Sequence, residues 1–126
     1  MSIIGHGIDL VEVARIERMH ADHGRHFLDR CFTPAEQAYC LAHRHSAIHL
    51  AGRFAAKEAV LKVLGTGWRG EIAWTDMEIL NDPAGKPELR LTGECARLAR
   101  QLAITHWHVS ISHTDTHALA SAIGES

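Results

Sequence analysis

The sequence predicts a single α+β domain, residues 1–126, in which a long central helix packs on a small antiparallel sheet. Three observations support this fold class. The chain has 126 residues, which is the usual length of one domain. Hydrophobic residues make up 46% and charged residues 22%, as in ordinary soluble globular proteins. Segments with strand and helix character follow one another without regular strand–helix–strand alternation, which indicates an α+β arrangement.

The first predicted elements are a strand and a helix. Residues 2–13 are rich in β-branched side chains and partly alternate, which is typical of a strand. Because side chains alternate along a strand, one face is predicted to carry small or apolar residues and one carboxylate. That face consists of Ile3, Gly5, Gly7, Asp9 and Val11. Residues 14–23 have helical character, and Gly24 is predicted to end this helix.

Two further helices are predicted from their N-terminal signals. Thr33, Pro34 and Glu36 occupy the N-cap, N1 and N3 positions of a helix that starts with a capping box. Ser46 is predicted to cap the longest helix, which runs to Leu64 and ends at Gly65.

The second half is predicted to contain strands, a turn and one helix. The turn, residues 81–87, combines Asn, Asp, Pro and Gly. The predicted strands are residues 71–80, 88–91, 107–112 and 117–123, and the predicted helix is residues 92–102.

Composition excludes several classes of protein. The net charge of −2 is unlike that of a strongly basic nucleic-acid binder. No apolar run approaches the ~20 residues that span a membrane, and no secretory signal pattern opens the chain. The cysteines, Cys31, Cys40 and Cys95, are odd in number, far apart and without a C-x-x-C pair, which predicts a cytoplasmic protein without a disulfide framework.

Two carboxylates lie on surfaces that are otherwise small or apolar. Asp9 belongs to the strand face described above, where it either caps a nearby turn or binds a cation or donor group. Glu58 lies in an apolar stripe of the long helix, where it either pairs with Lys62 at i+4 or binds a cation. Two carboxylates from different elements, with phosphate oxygens and water, form the usual Mg²⁺ site. Arg53, Lys57 and Lys62 would then neutralise phosphate charge.

Three other patterns do not support the functions that they first suggest. Residues 65–70 match G-x-G-x-x-G but follow a helix, so they indicate a helix C-cap or a phosphate-contacting loop instead of a dinucleotide fingerprint. Ser112 and His113 are adjacent on a strand and point to opposite faces, which argues against a serine hydrolase. The 11 histidines include three clusters, which favour surface or loop positions over a transition-metal site. The clusters are His20, His23 and His26; His43, His45 and His49; and His106 and His108.

Together these residues resemble the phosphopantetheinyl transferases. The two-part signature is residues 7–9, Gly-Ile-Asp, followed by residues 53–59, Arg-Phe-Ala-Ala-Lys-Glu-Ala, and Lys62. The similarity continues through residues 32–36, 65–67, 85–87 and 107–114. The short chain is similar to the small, holo-acyl-carrier-protein synthase branch. That branch implies an α+β fold and a homotrimer with active sites between subunits.

The resemblance assigns roles by position. Asp9 and Glu58 match Mg²⁺ ligands, and Lys62 matches the lysine that contacts the phosphate near the scissile bond. Arg53 and His113 match positions that contact coenzyme A around its 3′-phosphate.

Further positions match the cofactor loops and the carrier-protein surface. Arg44 lies in a basic segment that contacts coenzyme A, and Gly65 and Pro87 match loop positions that line it. Arg15 and Arg25 match basic residues that meet an acidic helix of the carrier protein. Asp22 stands where the family pattern has another basic residue, so this part of the docking surface departs from the pattern.

The implied activity is transfer of 4′-phosphopantetheine from coenzyme A to a serine of apo acyl carrier protein in fatty acid biosynthesis. The serine attacks the β-phosphate, and adenosine 3′,5′-bisphosphate leaves. The base is Glu58, a metal-bound hydroxide or a water held by Glu36, and the sequence leaves these alternatives open. The alternatives to this activity are a non-catalytic module that binds coenzyme A or a nucleotide, and a histidine-rich metal-binding protein.

Overall fold

A computed structural model describes residues 1–65 and 70–126. Within these residues, strands and helices occur in the mixed order of an α+β domain. The strands are β1 (Ile3–Glu12), β2 (Met77–Asn81), β3 (Pro87–Leu91), β4 (His106–His113) and β5 (His117–Glu125). The helices are α1 (Val13–Cys31), α2 (Pro34–Leu41), α3 (Ser46–Leu64) and α4 (Gly93–Gln101), with a 3₁₀ turn at Trp74–Asp76. None of the described helices is both long and apolar enough to cross a bilayer.

The sheet that carries α3 is antiparallel, with strand order β1–β5–β4. Its inner face is lined by small residues of β5, namely Ala118, Ala120 and Ala122, each at most 1% exposed. Small side chains let the helix lie close to the sheet, so α3 is buried along most of its length. The predicted arrangement of a long helix on a small antiparallel sheet is therefore confirmed. Strands β2 and β3 form a separate antiparallel hairpin.

The outer face of the same sheet remains uncovered in the single chain. Large apolar side chains of β1 and β5 alternate with the buried ones and stay partly exposed. They are Ile4, Ile8, Leu10 and Leu119, with 38 to 62% of their surface exposed. Since water is a poor environment for such a patch, this face is a candidate contact surface.

Three element boundaries differ from the sequence prediction. Helical structure resumes after Gly24, whose φ of 53° and ψ of −130° break the helix locally, and α1 continues to Cys31. The N-cap of α3 is His45 instead of Ser46, and it makes no side-chain capping bond. Residues 71–80 were predicted as one strand, whereas β2 starts only at Met77, after the 3₁₀ turn.

Two predicted helix signals are confirmed. Thr33 and Glu36 form the predicted capping box at the start of α2, with Pro34 in the first turn. Gly65 ends α3 in the left-handed region, with φ of 76°, where glycine avoids the strain of a side chain. The rest of the predicted glycine loop, residues 66–69, lies outside the described residues.

Candidate active site

The two predicted carboxylates come together where β1 crosses α3. A Cβ atom on Gly7 would overlap the carbonyl oxygen of Ala59, so only glycine permits this close approach of strand and helix. Asp9 follows on the same strand face, with 20% of its side chain exposed. Burial, and next the charge of Asp9, raise the pKa of Glu58, which places the two carboxylates within electrostatic range.

Lys62 lies beside this acidic pair, one helical turn after Glu58. Its Nζ donates to the carbonyl oxygen of Ile8 at 2.6 Å and lies 3.4 Å from Oδ1 of Asp9. In the described part of the chain, no hydrogen bond or ion pair joins Glu58 to Lys62, although Lys62 lowers the pKa of Glu58 from a distance. Asp9 lies inside β1 instead of capping a turn. Neither of the simpler explanations for these carboxylates therefore describes the structure.

The acidic pair fits a hard divalent cation. No group of three or more His, Cys, Asp or Glu side chains suited to a metal occurs in residues 1–65 and 70–126, so the chain provides no complete metal cage there. Mg²⁺ does not need one, because it keeps several waters and binds one or two carboxylates together with substrate phosphates. Burial, and next the repulsion from Asp9, raise the pKa of Glu58, and such a cation would reduce that repulsion.

An apolar cleft of about 490 Å³ adjoins Glu58. Its walls come from α1, α3 and the 3₁₀ turn, and include Met19, Phe27, Phe54 and Trp74. The rings of Phe54 and Trp74 stack with centroids 4.9 Å apart. The guanidinium of Arg15 lies 5.5 Å from the Phe54 centroid at the same cleft, and its charge lowers the pKa of Glu58.

The predicted coenzyme A contacts at Arg53 and Pro87 lie on another side of α3. Arg53 is five residues before Glu58, or about 140° around the helix. Its side chain is buried, donates to Asn81 Oδ1 and lies over the ring of Tyr39, 4.3 Å from the centroid. Asn81 pairs with Pro87 across the β2–β3 hairpin. Arg53 and Pro87 are thus brought near each other, while Asp9 and Glu58 form a separate group.

The remaining predicted contacts occupy further positions. Arg44 is exposed beside a cavity of about 590 Å³ between α1 and the start of α3. His113 is exposed at the end of β4, where its ring centroid lies 6.2 Å from that of His49. Gly65 is at the C-terminus of α3. Arg15 and Arg25 are both exposed on α1, as expected for residues that meet a partner.

The phosphate-neutralising role predicted for Lys57 is wrong, and one of the three alternatives for the catalytic base is excluded. Lys57 is fully buried and donates to Glu36 at 2.6 Å, to the Cys31 carbonyl at 2.7 Å and to the Trp74 carbonyl at 3.2 Å. It is therefore a structural cation and cannot neutralise phosphate. Glu36 is equally buried and also accepts hydrogen bonds from Thr33 N and Ile79 N. Its oxygens are occupied, so it is not available to hold a catalytic water.

Sequence reasoning also missed a run of neighbouring rings beside Arg53. Tyr39 lies 4.6 Å from His43, and His43 lies 4.0 Å from His49, measured between centroids. His49 then leads to His113. The sequence had grouped His43 with His49, but their contact with the far strand β4 depends on the tertiary fold.

Comparisons with known proteins agree with this fold. The family model described as the 4′-phosphopantetheinyl transferase superfamily matches residues 5–122. A holo-acyl-carrier-protein synthase from Geotalea daltonii is 45% identical over 123 residues, covering 98% of each chain. One from Moorella thermoacetica is 47% identical over 120 residues, covering 95% of this chain and 92% of the relative.

Solved structures extend the similarity to three dimensions. The holo-acyl-carrier-protein synthase of Neisseria meningitidis superposes with a TM-score of 0.89 at 33% identity, covering 98% of this chain and 99% of the other. The Bacillus anthracis synthase in complex with CoA (3′,5′-ADP) gives 0.82 at 36% identity, covering 100% and 99%. With matches of this length and identity, the chain belongs to the 4′-phosphopantetheinyl transferase superfamily, among its holo-acyl-carrier-protein synthases.

Proposed function

We propose that this protein transfers 4′-phosphopantetheine from coenzyme A to a serine of an apo acyl carrier protein, in fatty acid biosynthesis. The observation that carries the proposal is the pair of carboxylates, Asp9 and Glu58, beside the cation Lys62. The names of the relatives and the coenzyme A held by the Bacillus anthracis synthase support the same reaction.

In this reaction the serine Oγ forms a bond to the β-phosphorus of coenzyme A. The bond between that phosphorus and the bridging oxygen breaks, and adenosine 3′,5′-bisphosphate leaves with the electron pair. The serine proton goes to a base. Since Glu36 is enclosed, Glu58 is the remaining protein carboxylate among the candidates weighed from the sequence.

Asp9 and Glu58 would hold Mg²⁺. When bound, the ion supplies charge neutralisation for the phosphate oxygens. Lys62 then contributes the protein's own positive charge at the same phosphates, from a position already fixed by its bond to the Ile8 carbonyl. Holding the reactants in line provides much of the remaining rate enhancement in phosphoryl transfer.

We further propose that the active enzyme is a homotrimer with composite sites. Arg53 and Pro87 lie around α3 from the acidic pair, so a second copy is needed to bring both sets of residues to one coenzyme A. The exposed apolar face of the sheet is available for that contact. Replacing Ile8 with lysine should give a folded monomer by light scattering and abolish most transfer. A fully active monomeric wild type would contradict the trimer.

The carrier protein would dock on α1, where Arg15 is exposed at the apolar cleft and Arg25 is exposed on the same helix. Cationic side chains next to an apolar groove suit a partner helix that is acidic and amphipathic. We place the protein in the cytoplasm, because Cys31, Cys40 and Cys95 are free thiols, which persist in a reducing compartment.

Mass spectrometry of apo acyl carrier protein tests the reaction directly. Incubation with enzyme, coenzyme A and Mg²⁺ should add one phosphopantetheine to the carrier, and omission of coenzyme A should add nothing. Binding of coenzyme A without any modified carrier protein would instead support the alternative, a non-catalytic binding module.

A further inference from the structure

We propose that His43 and His49, when protonated, bind the 3′-phosphate of coenzyme A. This proposal rests on the proposed function and adds two binding residues to those that the family resemblance assigns. It makes recognition of the phosphate dependent on pH.

Arg53 has one donor atom whose hydrogen-bonding capacity no described residue uses. Arg53 is only 4% exposed, and its Nε is a buried donor without a hydrogen-bond partner in the described part of the chain. A buried donor that lacks an acceptor costs about 1–3 kcal/mol, unless a ligand supplies the acceptor. An anion is the ligand that a guanidinium binds most strongly. The rings of Tyr39, His43 and His49 extend from this arginine towards His113.

His49 is surrounded by basic groups. Burial lowers the pKa of His49, and the charged groups that lower it further are all basic. They are His43 and His45 from the turn after α2, Arg53 from α3 and His113 from β4. Tyr39 of α2 packs edge-on against the same ring. Protonating the histidines of such a cluster is costly unless an anion compensates the added charge.

The hydrogen bond of His43 to the backbone determines its neutral tautomer. Its Nδ1 lies 2.8 Å from the carbonyl oxygen of Tyr39. A carbonyl only accepts hydrogen bonds, so Nδ1 carries the hydrogen and Nε2 of the neutral ring is an acceptor. Such a ring repels phosphate from Nε2. Protonation converts Nε2 into a charged donor, so His43 binds an anion only after it gains a proton.

The direction of the pH dependence follows from linkage. A bound phosphate dianion raises the pKa of His49 above its depressed value in the free protein. Affinity is therefore highest below the free-state pKa and falls as pH rises through the bound-state pKa. The phosphate itself acts in the opposite direction, because it becomes a dianion only above about pH 6. A fall in affinity from about pH 6 to 8 must then come from the protein, where histidine is the side chain that ordinarily titrates.

Isothermal titration of the full-length protein with coenzyme A and with 3′-dephospho-coenzyme A tests the proposal. The two ligands differ only in the phosphate, and Mg²⁺ is held constant without carrier protein. For coenzyme A the dissociation constant should rise by roughly tenfold for each histidine that loses its proton between about pH 6 and 8. For 3′-dephospho-coenzyme A it should stay level.

Variants identify the responsible residues. His43→Phe and His49→Phe keep an aromatic ring in the stack but remove the proton, so each should flatten the coenzyme A curve. His49→Gln is a second variant if the phenylalanine perturbs the fold, which circular dichroism will reveal. The control His106→Phe, at the exposed far end of β4, should behave as wild type.

Two results would overturn the proposal. One is an equal pH dependence for both ligands, and the other is a wild-type pH dependence in the His43→Phe/His49→Phe double variant. The carrier-protein assay decides the proposed function separately. A normal pH profile without transfer would leave the phosphate site intact and refute the enzyme.

Discussion

Lys57 and Glu58 are neighbours in sequence, on one helix, and they have opposite fates. Lys57 is enclosed by three acceptors from α1, α2 and the 3₁₀ turn, so its charge is fully used in holding those elements together. Glu58, about 100° further around the helix, receives no hydrogen bond from any described residue. Its carboxylate instead faces Asp9 and an open cleft. A satisfied buried ion indicates a structural role, whereas two carboxylates held close together, with a raised pKa at one of them, indicate a ligand site.

The largest effect is expected when either carboxylate of the acidic pair is replaced. Asp9→Asn or Glu58→Gln should lower the transfer rate by at least roughly a hundredfold, because each removes one of two charges that hold the same ion. The double variant should be little worse than either single one, since both residues act through one site. Initial rates over a range of Mg²⁺ concentrations provide the measurement.

Glu94→Gln is the matched control for these variants. It removes a half-buried carboxylate that pairs with Arg97 on α4, away from the acidic pair, and should leave the rate unchanged. If the effects of Asp9→Asn and Glu58→Gln multiplied in the double variant, the two residues would not share an ion.

Replacing Lys57 should mainly lower the stability of the protein. Lys57→Met leaves Glu36 charged and unpaired in the core, which should lower the free energy of unfolding by about 3–5 kcal/mol. Urea denaturation measures this difference. Glu36→Gln in the same chain should recover part of it, because the amide removes the buried charge and keeps one acceptor oxygen for either Thr33 N or Ile79 N.

Lys86→Met is the control, because Lys86 is exposed in the turn between β2 and β3. It should unfold as wild type does. Equal destabilisation by both variants would mean that the buried ion pair contributes no more than a surface lysine.

A smaller effect is expected in the pH dependence of stability, in which Glu58 should differ from an ordinary carboxylate. Its folded-state pKa lies above the ordinary value of 4.5, so the folded protein binds more protons than the unfolded chain in that range. Stability must then fall as pH rises from about 4.5 through the raised pKa. In metal-free buffer, wild type should lose stability relative to Glu58→Gln along this range. Mg²⁺ should restore it in wild type only.

Glu94 should change stability with pH in the opposite direction, in the same experiment. Its bond to Arg97 lowers its pKa, so wild type should gain stability relative to Glu94→Gln as pH rises towards the ordinary value. Thermal unfolding at several pH values will compare the two. Parallel curves for wild type and Glu58→Gln would contradict the close approach of Glu58 to Asp9.

The sequence predicted those features that local patterns encode. Alternation placed Gly7 and Asp9 on one face of β1, and the capping box fixed the start of α2. The same capping box contained a warning, since a Glu36 oxygen that accepts from Thr33 N is not free for catalysis. Gly24 was predicted to end the helix and only breaks it locally, because helical structure resumes beyond it where Phe27 and Leu28 pack into the core.

What the sequence could not predict depends on distant contacts. Nothing near Lys57 distinguishes it from Lys62, because the partners of Lys57 lie 17 to 26 residues away. The stacking of His49 on His43 and its approach to His113 likewise need β4 to be in place beside α3. Periodicity assigns a residue to a face, and only the tertiary fold shows what that face meets.

The smallest effect is expected on α1, where charge acts from the surface. Arg25 is 86% exposed and only loosely paired with Asp29 at 3.8 Å, so Arg25→Glu should raise KM for the carrier protein a few-fold, consistent with the ~0.2–1 kcal/mol of an exposed ion pair. The difference should shrink in high salt, and KM for coenzyme A should not change. Arg15→Glu should differ, because Arg15 lowers the pKa of Glu58 and its reversal adds a third negative charge near the acidic pair. It should raise both KM values, whereas Arg100→Glu on α4 should change neither. If Arg25→Glu also weakened coenzyme A, the carrier surface and the acidic site would not be separable.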